Sequence, residues 1–294
     1  VAGIELAEIR AGGGADLVDI GELSGTGLTR VDPDLGLLDG APDTVFAQGT
    51  AVKDTVLVSE LGDIARVTGL PGEVRVDSAN PAQDRLIVQA RGGDDDVRAL
   101  GNAGALIALT LEGNEGADTI TGGNAAETLR GGPDTDVLQG KQGADVVEGG
   151  DGLDTAVWSP ATDGDDLVNG DCGVDRPRIP TRLSDDAYEV AADGARVRVS
   201  GPARASADVE VVDIGLGTGA DRVDVRKLAG TSITGVALDM GAADQKVDLV
   251  TIDGTTGSDN VKARASTPLG VPFHEISGAP GEGVRRRRGT GRQA

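Results

Sequence analysis

Apolar residues recur along this chain in short alternating bursts bounded by Gly, Pro or Asp. Thr55 to Val58, Leu86 to Val88, Leu106 to Leu111 and Val209 to Ile214 are examples. Bursts of this length with a period of two predict strands, and no stretch carries a capped 3.6-residue periodicity, so the chain reads as almost entirely β. A recurring unit places an Asp two residues before an aliphatic, as in Asp16 and Val18, Asp43 and Val45, or Asp54 and Val56. This is a loop-to-strand signature: the Asp is expected to accept backbone N–H groups of its own turn, and the aliphatic to point inward from the strand that follows.

The pattern repeats at two scales. Sliding the chain by 205 residues pairs Ala2 to Val56 with Ala207 to Val261 without a gap, with 23 identities in 55 positions. Between these copies the chain reads GNEGADTIT, GGNAAETLR, GGPDTDVLQ, GKQGADVVE and GGDGLDTAV, five nonapeptides from Gly113 to Val157 with no insertion. Position one is Gly throughout. Position six is acidic (Asp118, Glu127, Asp136, Asp145, Asp154), and position eight is aliphatic (Ile120, Leu129, Leu138, Val147, Ala156). The implied order is a β-rich flanking unit (1–103), the nonapeptide array (104–157), a connecting β segment (158–206), a second flanking unit (207–265) related to 2–56, and an irregular basic tail (266–294).

Glycines in the first six positions allow sharp turns with exposed carbonyls, and the last three residues suit a short strand with position eight inward. One nonapeptide is then half a coil, and repeats two apart stack at about one strand spacing, roughly 4.8 Å. Calcium takes six to eight oxygens at about 2.3 to 2.6 Å, so oxygens on opposite sides of the ion are about 4.7 to 5.2 Å apart, close to that rise. The stacking puts Asp118, Asp136 and Asp154 on one edge, with room for two ions, and Glu127 and Asp145 on the other, with room for one. The first edge is the stronger expectation, because Glu127 is one methylene longer than Asp and Ala125 stands at position four of its repeat. The competing reading is a metal-free solenoid whose Asp side chains only cap turns, at the cost of stacked like charges.

These repeats resemble the hemolysin-type, or RTX, calcium-binding nonapeptide GGxGxDxUx. The wider pattern, with β segments on either side of the array, resembles bacterial multi-repeat calcium-binding proteins. The resemblance implies a parallel β-roll, or β-solenoid, and Ca2+ as the bound ion. It also implies that backbone carbonyls at Gly113, Gly116, Gly131, Asp134, Gly143, Gly149 and Gly152 complete shells begun by the acidic side chains. Half-motifs at Gly164, Asp166 and Val168 and at Gly173 and Asp175 continue the pattern imperfectly. Arg176 and Pro177 stand where the last of these expects its strand, which argues against an ion there.

Composition agrees with a narrow aliphatic core: 47 glycines and only Phe46, Trp158, Tyr188 and Phe273 as aromatics. Such a core suits stacked coils that bury small side chains against their neighbours. The net charge of −22 disfavours a nucleic-acid partner everywhere except near the Arg285 to Arg288 run. Cys172 stands alone, so no internal disulfide or zinc cluster is expected, and His274, the single histidine, has no visible nucleophile partner. The expectation is therefore not an enzyme. No apolar run is long enough to span a bilayer as a helix, and the start at Val1, without a leader-like stretch, reads as a processed or fragmentary end. Arg exceeds Lys by 22 to 5, as a GC-rich bacterial genome would give. Trp158, directly after the last repeat, is expected to cover the open end of the core.

The reading that follows is a calcium-binding module of a secreted or cell-surface bacterial protein that folds on binding calcium. A structural or adhesive solenoid with incidental metal, and the carrier portion of a secreted hydrolase or toxin, are the alternatives.

Overall fold

The structure, a computed structural model, describes residues 5–36, 40–159, 163–173, 175–180, 184–201, 204–239, 248–253 and 263–264. Among the described residues the chain winds between two long sheets, one of 13 strands and one of 12, whose neighbouring strands are parallel except at two insertions. Outside those insertions successive strands alternate between the sheets, which makes a β-solenoid. Both sheets run on through the array and the segments on either side of it.

Alternation along each strand builds the core. In one sheet Val56, Val97, Ile120, Leu138, Ala156 and Pro177 stand in register, one per coil. In the other, Val88, Leu111, Leu129, Val147, Val168 and Ala207 do the same. All are buried, while the residues between them face outward. Burying one such aliphatic fully is worth about 1.5 to 3 kcal/mol, and each coil of the nonapeptide array contributes only one or two, so stability accumulates by stacking.

The 205-residue match reappears strand by strand. Strands Leu6–Arg10, Leu17–Ile20 and Arg30–Asp34 fall on Val211–Gly215, Arg222–Val225 and Gly235–Asp239. Turn chemistry is copied as well: Thr29 Oγ1 donates to the Glu5 carbonyl at 2.8 Å, and Thr234 Oγ1 donates to the Glu210 carbonyl at 3.0 Å.

Four details depart from the sequence reading. Leu106 ends a four-residue helix, Ala103–Leu106, and the strand starts at Ala108. Ala and Leu favour helix, and the inward alternation begins only at Ile107. Arg176–Ile179 is a strand despite Pro177, whose ring fills the inward position and forgoes one ladder donor. Trp158 is buried but covers no open end, because the coil containing Arg176–Ile179 stacks on it: Trp158 N–H donates to the Arg178 carbonyl and its indole Nε1–H to the Gly164 carbonyl. Finally, each sheet admits one antiparallel insertion. In the first, Thr55–Leu61, Ile64–Thr68 and Glu73–Val76 form a meander; in the second, Ala187–Asp193, Arg196–Ser200 and Arg204–Asp208 do. His274, Phe273, the Arg285 to Arg288 run and the rest of 266–294 lie outside the described residues.

Candidate metal centre

At the turns before the repeat strands of the first sheet, the acidic side chain reaches to the coil before it and not chiefly to its own turn. Asp118 N–H donates to Asp136 Oδ1 at 2.7 Å, and Asp136 N–H to Asp154 Oδ1 at 2.8 Å. The ladder runs further than the three expected residues. Asp54 N–H donates to Asp95, Asp95 N–H to Asp118, Asp154 N–H to Asp175, and Asp175 N–H to Glu210. The opposite edge carries Glu127 N–H to Asp145 Oδ1 at 2.8 Å and Asp145 N–H to Asp166 Oδ1 at 3.0 Å. The expectation of three acidic residues on one edge and two on the other therefore understates both edges. Asp175, set aside because of Arg176 and Pro177, is in line with Asp154.

These carboxylates are buried, and the ladder uses only one oxygen of each Asp. The other, Oδ2, is buried without a hydrogen-bond partner in Asp118, Asp136, Asp145 and Asp154, as is Oε1 of Glu127. An unpartnered buried polar atom costs about 1 to 3 kcal/mol, more when charged, so a row of them needs a compensating group. Burial is the largest cause of the shifts that follow: the Asp118 and Asp136 carboxyls are pushed up to about 7, Glu127 to about 7 and Asp145 to about 6, and Asp154 is also raised. The backbone N–H bonds oppose this and neighbouring carboxylates add to it.

Glycine at position one is required by the oxygens that gather over it. A Cβ on Gly131 would meet both Asp136 Oδ2 and the Gly149 carbonyl oxygen; one on Gly149 would lie 2.6 Å from Asp154 Oδ2 and 3.0 Å from the Gly170 carbonyl oxygen. Gly113 and Gly140 face Asp118 and Asp145 in the same way. At position four, Gly116, Gly143 and Gly152 pack directly on the carbonyl oxygens of Gly93, Ala125 and Asp134 from the coil before. Among the described residues no three His, Cys, Asp or Glu side chains form a metal-holding group. The donor set is one carboxylate oxygen per half-coil plus backbone carbonyls, a hard all-oxygen environment that suits calcium and not zinc.

Position two sets whether the carboxylate is capped from its own turn. It is left-handed at Asn114, Gly132, Lys141 and Gly150, with φ of 72°, 126°, 67° and 107°, and in each of those repeats the Oδ2 four residues on is unpartnered. Gly123, in the second repeat, is not left-handed, and its N–H turns in to bond Glu127 Oε2 at 3.0 Å. Thr50 N–H bonds Asp54 Oδ2 and Asn80 N–H bonds Asp84 Oδ2, both at 2.7 Å and both from positions without left-handed backbone. Holding Asn114 and Lys141 left-handed costs about 1 to 2 kcal/mol each, a strain that the stack imposes. The sequence reading gives Asp166 and Asp175 only as imperfect half-motifs and does not name Asp95. The available signals were the GGDDDV run from Gly92 and the Asp-x-aliphatic spacing at Asp166.

Comparison with known families matches the model of the RTX calcium-binding nonapeptide repeat, in four copies, over residues 110–138 and 130–156. No curated protein matches the chain. The matched segment contains Asp118, Glu127, Asp136, Asp145 and Asp154 and the loops around them. The segment 110–156 thus carries hemolysin-type, RTX calcium-binding repeats.

Proposed function

We propose that the array is a calcium-dependent folding module of an exported bacterial protein, loosely ordered where calcium is scarce and folded outside the cell. The row of buried carboxylates, each Asp with one oxygen engaged by the neighbouring coil and one left over, carries this reading. Asp118, Asp136 and Asp154 on one edge, and Asp145 with the longer Glu127 on the other, are the side-chain ligands in this proposal. Carbonyls of the loops holding Gly113, Gly116, Gly131, Asp134, Gly143, Gly149 and Gly152 complete the shells. The segments 1–103 and 158–265 then act as β scaffolds on either side of the array at 104–157.

With a dissociation constant of about 0.1 to 1 mM, as in extracellular modules, millimolar calcium adds only about 0.4 to 1.4 kcal/mol per site. Neighbour-to-neighbour stacking makes these terms cumulative. Among the described residues no helix is long and apolar enough to cross a membrane. Calcium titration followed by circular dichroism tests the proposal: β signal should rise in the millimolar range, and no gain there sinks it.

One observation favours a second reading, a structural or adhesive solenoid with incidental metal. The Asp54 and Asp84 turns satisfy Oδ2 from their own backbone, so this fold also builds acidic coils that need no ion. A melting temperature that is the same in calcium and in chelator would select that reading.

A further inference from the structure

The coil that precedes the RTX repeats shares their defining feature. Residues 90–98, Ala90 to Arg98, place Asp95 at position six and Val97 at position eight, although Ala90 and Arg91 replace the opening glycine pair. Asp95 is 2% exposed. Its Oδ1 accepts the Asp54 N–H at 2.6 Å, and its Oδ2 is buried with no partner. Arg91, four residues before Asp95, is left-handed at φ 84°, so the N–H that would cap Oδ2, as Thr50 caps Asp54, is turned away.

The next loop on this edge completes the geometry. The Gly93 carbonyl oxygen packs on the Cα of Gly116, the same apposition that Ala125 makes with Gly143. Asp95 N–H donates to Asp118 Oδ1 at 2.7 Å, and Asp94 Oδ1 accepts the Ala117 N–H at 3.1 Å, so the two loops are fixed against each other. On the far side, Lys53 Nζ donates to the Asp94 carbonyl at 2.6 Å, and the Asp54 carboxylate is capped by Thr50. The row of unpartnered oxygens on this edge therefore starts at Asp95, with an ammonium group standing beyond it.

We propose that the loop 90–95 and the loop 113–118 together form a further calcium site, one coil ahead of the segment matched by the RTX repeat model, with Asp95 Oδ2 as its side-chain ligand. The proposal rests on the calcium reading of the repeats, so its test must separate the two.

Calcium bound per full-length chain, measured by equilibrium dialysis, should fall by one in Asp95→Asn, which keeps an oxygen for the Asp54 N–H. It should also fall in Asp136→Asn, and stay at the wild-type value in Asp84→Asn. A loss in Asp136→Asn with none in Asp95→Asn overturns this site alone; a wild-type chain that binds no calcium overturns both readings. Should Asp95→Asn fail to fold, terbium-soaked crystals of the wild-type chain decide by anomalous scattering. A peak about 2.3 to 2.6 Å from Asp95 Oδ2 supports the site. Peaks only at the loops from Gly131 onward overturn it.

Discussion

In the coil that carries Asp84, both carboxylate oxygens are satisfied within the protein, one by the Asp43 N–H and the other by the Asn80 N–H. In the coil that carries Asp136, one oxygen accepts the Asp118 N–H and the other is buried with nothing to bond. The two coils share an inward aliphatic two residues after the Asp, and the ladder bond. They differ in the backbone four residues before the Asp, where Gly132 is left-handed and Asn80 is not. A single backbone inversion thus separates a self-sufficient turn from one that leaves a buried carboxylate oxygen unpartnered, and the solenoid uses both along its length.

The largest expected effect that sharpens this contrast is a collective response to pH. The carboxyls of Asp118, Asp136 and Glu127 are raised to about 7 and that of Asp145 to about 6 in the folded chain, from an ordinary value near 4 when unfolded. Without calcium their contribution to stability is full below about pH 4 and is lost as pH rises through about 6 to 7, because the folded state must then ionise buried groups. The array should therefore be more stable in chelator at pH 5 than at pH 8. In millimolar calcium the array should stay folded at pH 8. Thermal melts at the two pH values, with and without calcium, give all four numbers.

Next in size are core truncations. Leu138→Ala and Leu86→Ala each remove a fully buried side chain two residues after a ladder Asp, and each should cost about 2 to 5 kcal/mol in calcium by denaturant unfolding. A much smaller loss for Leu138 would break the comparison, since it would mean that the two kinds of coil differ in packing and not only in ligation.

How much of this was legible in the sequence follows from where the physics is local. The nine-residue period fixes which aliphatic points inward, so Ile120, Leu129 and Leu138 are placed by spacing alone, and the 205-residue match carries over because strand boundaries depend on short alternating stretches. The ladder bonds were not legible: an Asp followed by an aliphatic suits a turn cap equally well, and only stacking shows that Asp136 reaches Asp118. Asp95 was hidden because Ala90 and Arg91 break the glycine signature while keeping the backbone shape. The antiparallel insertions left a faint trace in Gly62 and Gly194, both left-handed in the short turns after Leu61 and Asp193. Pro177 misled because a proline argues against a strand, yet its ring faces the core.

The smallest expected effect is the most specific. Asp136→Asn and Asp84→Asn both keep an acceptor for the ladder N–H. The cost of Asp136→Asn relative to the wild-type chain should be about 0.4 to 1.4 kcal/mol larger in calcium than in chelator, and the cost of Asp84→Asn should be the same in both. Equal calcium dependence in the two variants would erase the distinction between the coils.

Hydrogen exchange of the full chain, with calcium and with chelator, tests the central claim most directly. Amides of the strands Thr119–Thr121, Val137–Gln139 and Thr155–Val157 should lose protection at pH 8 when calcium is removed, while those of Thr44–Gln48 and Arg85–Gly92 keep theirs. Equal protection of the repeat strands in both conditions would contradict the account.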